Sequence, residues 1–330
     1  MKKREFVGID LSKQKIDVRL QLARQENVFD NKLSGFKKML KWIAKSQAQD
    51  TSLFFCFEHT GMYAFPLLMF LEKEELEYVQ VSGLQVKKSL GIQRGKNDRI
   101  DAKRLAEYAY LHREQLRPHK IQSDCLPKLK SLLALRSRIV RQRAGYKASV
   151  KEYKSYLALK ETDLIIHSQK RIIIALTLQI EAIEKEIKQL IASDEKILKQ
   201  FQLATSVKGM GLICASYMIV LTNCFTDFKT WRKFACYAGS APFEHQSGTS
   251  IKGKTKISHY ANKQMKTLLT NAVKSAIRHD KELGLYYKKR IAEGKHKKVA
   301  VNIIRNKLIS RVFATVRRGT PYVDLVKYAA

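Results

Sequence analysis

The chain has 330 residues, of which 63 are Lys or Arg and 30 are Asp or Glu, so its formal net charge is +33. Apolar residues make up 45% of the sequence, with 15 Gly and 5 Pro, a composition that supports packed cores and excludes a fibrous or disordered protein. So large an excess of positive charge favours a polyanionic partner: nucleic acid is the first candidate and an anionic membrane surface the second.

Other sequence features favour a cytoplasmic protein. No stretch approaches the ~18 consecutive apolar residues that a membrane-spanning helix requires, and the basic N-terminus is not followed by the apolar core of a secretory signal. The 5 cysteines are scattered, without a Cys-x-x-Cys pair, which is typical of reduced thiols rather than of a disulfide framework or a zinc site. We therefore expect a cytoplasmic protein that does not associate with membranes.

The first part of the chain, residues 1–125, predicts an α/β domain. An apolar run at residues 6–9 ends in Asp10, and alternating apolar residues at 15–22 predict a second strand that forms a hairpin with it. Asp17 falls on the polar side of this alternation, which predicts a solvent-facing structural residue. The elements predicted to follow are helices at 34–45 (capped by Ser34), 63–75 and 97–112 and strands at 53–57 and 78–81.

The middle part, residues 126–199, predicts a helical arm. Its apolar residues at positions 176, 180, 183, 187 and 190 step by four and three, which is the pattern of a heptad seam. A seam of this length is equally compatible with one amphipathic helix packed on its own chain and with a coiled coil through which copies of the chain associate.

The last part, residues 200–330, predicts a mostly helical domain and carries a net charge of +18. Lys208, Gly209 and Gly211 form a turn before an apolar helix, where backbone N–H groups can bind a phosphate. This pattern resembles the turn of a helix-hairpin-helix DNA-binding module, and an ordinary helix–helix turn produces it too. The elements predicted to follow are a helix at 228–237, a polar loop at 238–260 and helices at 262–279, 286–292 and 297–317.

Four acids stand where a fold of this kind can bring them together. Asp10 and Glu58 directly follow apolar strands, while Asp98 and Asp101 lie three residues apart in the first turn of a predicted helix. Each acid alone has an ordinary explanation as a turn, strand-end or helix-capping residue. Together they suit a site for Mg²⁺ or Mn²⁺, because acids near a polyanion repel it unless a cation lies between them.

The segments around these acids resemble the DEDD transposases of the bacterial insertion sequence 110 family. They read GIDLSK around Asp10, FEHTG around Glu58 and KNDRIDA around Asp98 and Asp101. The order of the elements that carry them resembles an RNase H or RuvC-like nuclease core. Further along the chain, the sequences YAGSAP, QSGT and KGKTK resemble the Gly–Pro loop, the Ser-Gly pair and the basic segment of the family's C-terminal domain.

This resemblance implies a DNA recombinase built from three parts. These are a RuvC-like catalytic domain at 1–125, a coiled-coil-like helical arm at 126–199 and a C-terminal transposase domain at 200–330. The implied ligands of Mg²⁺ or Mn²⁺ are Asp10, Glu58, Asp98 and Asp101. Ser247 is the implied catalytic nucleophile, which attacks a DNA phosphate and forms a phosphoserine intermediate. The implied partners are donor and target DNA, a structured bridge RNA and further copies of the chain in a homo-oligomer, either a dimer or a tetramer.

Contacts with nucleic acid are expected at basic and glycine positions of three loops, namely Arg94, Lys96, Lys208, Gly209, Gly211, Lys252, Lys254 and Lys256. Two other functions use the same sequence features. A structure-specific nuclease, such as a junction resolvase, would use the same acids with water as the nucleophile, and a non-catalytic nucleic-acid-binding protein would use the positive charge alone. Replacing Ser247 by alanine would inactivate the recombinase but not the nuclease. Replacing Asp10 by asparagine would inactivate both enzymes but leave the effects of a binding protein on DNA unchanged.

Overall fold

The structure, a computed structural model, describes residues 3–47, 50–59, 61–91, 97–247 and 251–324. The chain divides into two compact units, Met1–Ile121 and Gln122–Ala330. The predicted subdivision of the second unit into an arm and a transposase domain stays a prediction. Across the described residues, no helix is both long and apolar enough to span a membrane.

The first unit is an α/β fold, as predicted. Its described elements are β1 (Arg4–Leu11), β2 (Lys15–Leu20), β3 (Glu26–Asp30), α1 (Leu33–Ser46), β4 (Ser52–Glu58), α2 (Phe65–Lys73), β5 (Glu77–Val81), α3 (Gly83–Ser89) and α4 (Asp98–Leu111). The strands form a mixed sheet in the order β3-β2-β1-β4-β5. β1 is antiparallel to β2 and parallel to β4, so it is the strand on which the hairpin and the parallel part of the sheet meet.

Alternate residues of β1 face two different cores. Val7 and Ile9 pack with residues of α1 and α2 on one face of the sheet, whereas Phe6 packs with residues of α3 and α4 on the other. Because side chains alternate along a strand, Gly8 and Asp10 share the face of Phe6. Both faces of β1 and β4 are therefore covered, which explains why these strands read as nearly continuous apolar runs.

Gly8 allows α4 to approach the sheet closely. A Cβ added at Gly8 would overlap the carbonyl oxygen of Ala102 and the backbone nitrogen of Ala106 and would lie 2.8 Å from the Ala106 Cβ. These atoms belong to the backbone and first side-chain atoms of α4, so no rotamer change can make room. The contact fixes the distance between the helix and β1.

We expect Gly8→Ala to lower the free energy of unfolding of the first unit by about 3 kcal/mol, at the upper end of the cost of overpacking a core. Urea unfolding combined with hydrogen exchange of the β1 amides measures this effect. Gly145→Ala is the matched control, because no described atom lies within 4 Å of a Cβ added there and alanine favours a helix interior. A Gly8→Ala variant as stable as the original chain would contradict the close contact.

Three features of the first unit differ from the sequence-based expectation. β3, with the sequence ENVFD, lies at the edge of the sheet and is mostly polar, so it lacks the apolar alternation that marks a strand. α3 has only seven residues, too few for a hydrophobic period to be visible. The prediction that Ser34 caps the next helix is wrong, because α1 begins at Leu33 and no side chain among the described residues caps it.

The second unit is mostly helical, as predicted. Its described elements are α5 (Cys125–Tyr156), α6 (Leu164–Ala192), α7 (Glu195–Thr205), α8 (Leu212–Leu221), α9 (Trp231–Tyr237), β6 (Pro242–Ser247), β7 (Ile251–Ile257), α10 (Lys263–His279), α11 (Lys281–Ala292) and α12 (Lys297–Arg318). Its core is formed chiefly by α7, α8, α10 and α12, together with the start of α5 and the end of α6.

The predicted seam of α6 packs against α5 within the chain. Lys128, near the start of α5, pairs with Glu186 near the end of α6, and Lys154, near the end of α5, pairs with Glu161 just before α6. The two helices are therefore antiparallel. The buried members of the seam are Ile180, Ile183 and Ile187. Packing of α6 within its own chain therefore explains the burial of these residues. Association between copies of the chain through the seam stays a prediction.

A β-hairpin lies where the sequence predicts a polar loop. β6 and β7 pair antiparallel, with Ser247 opposite Ile251 and a register shift between Phe243 and His245. The sequence of β7, IKGKTKI, alternates lysine with uncharged residues. This period of two is the strand signal that the loop prediction missed.

Candidate active site

Asp10 and Glu58 lie at the same edge of the sheet. β1 and β4 are parallel neighbours whose register pairs Ile9 with Phe57, so the next residues, Asp10 and Glu58, lie side by side. Both occupy strand positions that face α4. Gly83, at the start of α3, leaves room for the Glu58 carboxylate, since a Cβ added there would lie 2.5 Å from Oε2 and 2.7 Å from Oε1.

α4 brings two further acids to this edge of the sheet. Asn97 caps the helix through its Oδ1, which accepts a hydrogen bond of 2.8 Å from the backbone N–H of Ile100. The capped first turn contains Asp98 and Asp101. Because α4 contacts β1 at Gly8, this turn lies over the face of the sheet that carries Asp10.

Burial and the surrounding acids change the pKa of Asp10. Its pKa is raised from 3.8 to about 6, first by burial and then by the negative charges of Asp101, Asp98, Glu58 and Asp17. Carboxylates that repel one another are stabilised by a proton or by a cation held between them. The donor set consists only of carboxylate oxygens, which are the ligands that hard divalent cations prefer. The chemistry of this donor set therefore fits a divalent metal ion.

Basic side chains hold two of these acids in the structure. The Nζ atom of Lys15 lies 2.9 Å from Oδ2 of Asp98, and its hydrogen bond lowers the pKa of that carboxyl. The Nη1 atom of Arg104 lies 2.8 Å from Oδ1 of Asp101. Over the described ranges, no three His, Cys, Asp or Glu side chains are gathered closely enough to hold a metal ion. Binding an ion would therefore require the acids to draw closer together and would require Asp98 and Asp101 to give up their basic partners.

Asp17 is an acid of this face that the sequence-based prediction assigned to solvent. It lies opposite Asp10 in the β1–β2 ladder and is only 3% exposed, so that prediction is wrong. α4 covers β2 as well as β1, which buries the polar position of Asp17 in the middle of the strand. The short link between the two strands is the signal that could have placed Asp17 across from Asp10.

The raised pKa of Asp10 predicts a pH-dependent stability. Its pKa is 3.8 without the fold and about 6 within it, so the folded chain binds the proton more tightly and loses stability as pH rises from about 4 to 6. We compare the free energy of unfolding of Asp10→Asn with that of the original chain. We expect this difference to move in favour of Asp10→Asn by about 1 kcal/mol as the pH rises from 4 to 8. The full shift corresponds to about 3 kcal/mol, which solvent screening reduces.

Urea unfolding without divalent ions at both pH values measures this difference. Asp30→Asn, at the exposed end of β3, controls for the loss of one negative charge elsewhere on the unit. A stability difference between Asp10→Asn and the original chain that stays constant from pH 4 to pH 8 would contradict the raised pKa.

Ser247 is the last residue of β6, and its side chain lies outside the described part of the structure. The hairpin that carries it is anchored on helices at both ends. The side-chain amides of Asn302 and Asn306 in α12 donate hydrogen bonds of 2.8 and 3.1 Å to the carbonyl oxygen of Ser240. After the hairpin, the backbone N–H of Asn262 donates to the last carbonyl oxygen of α9 at 2.8 Å.

The predicted nucleic-acid contacts in the other loops are only partly covered by the structure. Arg94 and Lys96 lie outside the described residues. Lys252, Lys254 and Lys256 occupy alternate positions of β7, and their side chains lie outside the description. All five therefore stay predictions.

Packing explains part of the glycine-containing turn before α8. Gly209 has a φ of +93°, and a Cβ added there would lie 2.6 Å from the carbonyl oxygen of Ala272 in α10, so this position requires glycine without any phosphate. Lys208 forms an ion pair with Asp324. Gly211 is exposed at the start of α8, with no described atom within 4 Å of an added Cβ. Lys208, Gly209 and Gly211 all stay predicted contacts.

Comparison with known families gives two matches. Residues 7–153 match a transposase model of the DEDD group of IS110 elements, and residues 201–288 match the model described as "Transposase IS116/IS110/IS902 family". The two matched regions together cover more than two thirds of the chain. The first includes most of the sheet and all of α4, and the second includes the β6–β7 hairpin.

Comparison with individual proteins gives relatives of similar length from Moraxella and a partial match to a longer protein. The chain is 27% identical over 323 residues to "Pilin gene-inverting protein" of Moraxella bovis, covering 96% of this chain and 97% of that protein. The protein of the same description from Moraxella lacunata matches equally well. A shorter match, 29% identical over 160 residues, is to "Insertion element IS110 uncharacterized 43.6 kDa protein" of Streptomyces coelicolor, covering 48% of this chain and 38% of that protein.

Proposed function

Because the chain belongs to the IS110 family of transposases, we propose that it is the recombinase of a bacterial insertion sequence, which cuts donor and target DNA and rejoins the strands. The observation that carries this proposal is the acidic face of the first unit, where the sheet register and the first turn of α4 bring acids around Asp10, and where burial and these neighbouring charges raise the pKa of Asp10. A chain with a net charge of +33 that only bound nucleic acid would gain nothing from acids gathered on one face.

Asp10, Glu58, Asp98 and Asp101 are the proposed ligands of the divalent metal that DEDD transposases use, with Mg²⁺ or Mn²⁺ as the ion. When bound, such an ion polarises a phosphate and makes an attacking hydroxyl more acidic. The chain's own contribution is to hold the acids in place: the sheet register aligns Asp10 with Glu58, and the Asn97 cap fixes the turn of α4. The first unit then corresponds to the proposed RuvC-like catalytic domain.

Ser247 is the proposed nucleophile of the second unit. Its Oγ forms a bond to a DNA phosphorus while the bond from phosphorus to one deoxyribose oxygen breaks; the serine loses its proton and the leaving oxygen gains one. The phosphoserine keeps one phosphoester bond for each bond that is cut, so a second deoxyribose hydroxyl can reverse the step and rejoin the strands. Lysines in β7 and the helical anchors of the hairpin support this role.

Nucleic-acid partners and copies of the chain complete the proposal. The net charge of +18 in residues 200–330 supports binding of DNA together with a structured bridge RNA, which selects the sites by base pairing. Recombination joins two duplexes and needs four strand cuts, so we propose a homo-oligomer that works in the cytoplasm. Apolar side chains of α6 that are 78% and 59% exposed, Leu164 and Leu178, support association through the arm. The gene-inverting description of the Moraxella relatives supports site-specific recombination.

The full chain incubated with Mg²⁺, RNA transcribed from the flanks of its element and labelled donor and target DNA tests this function. We expect joined donor–target product and a denaturation-resistant protein–DNA adduct. Reactions with a chelator or with an unrelated RNA are the controls. Cut DNA without joining or adduct under every RNA condition would favour the nuclease, and unchanged DNA would favour the binding protein.

A further inference from the structure

Lys15 and Asp17 of β2 contact the acidic face without belonging to the four proposed metal ligands. Asp17 lies opposite Asp10 in the sheet, and its side chain is only 5% exposed. The Nζ atom of Lys15 lies 3.2 Å from Oδ2 of Asp17 and 2.9 Å from Oδ2 of Asp98. One ammonium group therefore connects the buried acid of β2 with the first turn of α4.

The charges on this face require a cation. Asp17 acts on Asp10 as a negative charge, as do the three other acids, and a buried carboxylate without a positive partner is strongly destabilising. Among the described residues, Lys15 is the ion-pair partner of Asp17. The Lys15 side chain is 48% exposed, so its ammonium group can move into solvent at little cost when another cation takes its place.

We infer that Asp17 is a fifth carboxylate of the metal site and that Lys15 holds Asp17 and Asp98 until a divalent cation replaces its ammonium group. This inference rests on the proposed metal site. Lys15 and a divalent ion then compete for the same two acids, so that Lys15 lowers the affinity of the site for metal and stabilises the metal-free fold. Lys15 is thus a positioning residue that keeps the acids together before the cofactor arrives.

Binding of Mn²⁺ to the full chain without nucleic acid, followed through the electron paramagnetic resonance signal of free Mn²⁺, tests the competition. We expect Lys15→Met to bind Mn²⁺ about fivefold more tightly than the original chain, the size expected when one positive charge is removed a few ångströms from a solvent-exposed ion. Lys15→Arg keeps the charge and is expected to bind as the original chain does. Asp17→Asn is expected to bind Mn²⁺ about fivefold more weakly.

Lys13→Met is the matched control. Lys13 is exposed in the turn of the same hairpin and makes no ion pair with the described residues. Its loss changes the net charge equally, so we expect its Mn²⁺ affinity to stay within about twofold of the original value, because an exposed charge farther from the site is screened. A similar gain in Mn²⁺ affinity in Lys13→Met and Lys15→Met would show that the gain comes from net charge alone, and it would overturn the inference.

Thermal unfolding separates this competition from an ordinary structural ion pair. We expect Lys15→Met to melt at a lower temperature than the original chain without divalent ions, and this difference to disappear at saturating Mn²⁺, because the ion then neutralises Asp17. An ion pair that only joined β2 to α4 would leave the same difference with and without Mn²⁺, and that result would overturn the inference.

The variant Asp10→Asn separates failure of this inference from failure of the proposed function. If the original chain binds Mn²⁺, Asp10→Asn does not, and Lys15→Met binds no more tightly than the original chain, the metal site stands and the role of Lys15 is wrong. If neither the original chain nor Lys15→Met binds Mn²⁺, both proposals are wrong. Tighter binding by Lys15→Met that is lost in the double variant with Asp10→Asn supports both.

Discussion

Ser247→Ala is expected to reduce strand joining and the formation of a covalent protein–DNA adduct by at least about 1000-fold, because alanine has no oxygen to bond to phosphorus. The variant keeps the backbone of the β6–β7 hairpin and the acids of the first unit, so binding of DNA and RNA should stay close to that of the original chain. Denaturing gels of labelled DNA detect the adduct, and filter binding measures the affinity.

Ser250→Ala is the control for this experiment, since Ser250 lies three residues further along the same segment. We expect it to form the adduct normally. If Ser247→Ala still forms the adduct, another residue is the nucleophile. If no adduct forms with the original chain and Ser247→Ala cuts DNA at an unchanged rate, water is the nucleophile and the chain acts as a structure-specific nuclease.

Asp10→Asn is expected to lower DNA cutting by about 1000-fold or more while leaving DNA affinity equal or higher. The carboxylate of Asp10 belongs to the acidic face, where burial and the charges of four other acids raise its pKa, and an amide neither carries the charge nor binds a hard cation as well. The loss of one negative charge slightly reduces repulsion of the DNA phosphates. Single-turnover cutting at saturating protein separates chemistry from binding.

Asp30→Asn removes a carboxylate of the same unit that is 58% exposed and pairs with Lys32, and we expect it to cut DNA at the original rate. Equal cutting by Asp10→Asn and the original chain would contradict a catalytic role of the acidic face. If both variants and the original chain change DNA only through salt-dependent binding, the chain is a nucleic-acid-binding protein without catalysis.

The fold of the first unit was predictable where local pattern and burial agree. β1 and β4 are covered on both faces, so each is an apolar run with an acid near its end. The sequence also predicted α4, although it placed Asn97 inside the helix and the structure makes Asn97 its cap. β3 was not predictable by the same reasoning, because an edge strand can remain polar. In the second unit, the alternating lysines of β7 belong to a strand whose signal lies in charge rather than in hydrophobicity.

The acids of the site were predictable as candidates, whereas their environment was not. Strand ends and helix spacing single out Asp10, Glu58, Asp98 and Asp101 without any tertiary information. The burial of Asp17 depends on α4 covering β2, which is a contact between segments about 85 residues apart in the sequence. The pairing of Lys15 with Asp98 has the same origin, so only the folded chain reveals which cations hold the acids.

The contact at Gly8 has a consequence for the tolerance of the site to change. Two main chains set the separation of β1 and α4, so this spacing does not depend on rotamers or on neighbouring side chains. A single added methyl group would push the helix outward by about 1 Å, a displacement that costs about two orders of magnitude in rate when it separates catalytic groups. The close contact at Gly8 thus fixes how far the two acids of α4 lie from the acids of the sheet. Gly8→Ala should therefore impair catalysis even in molecules that remain folded.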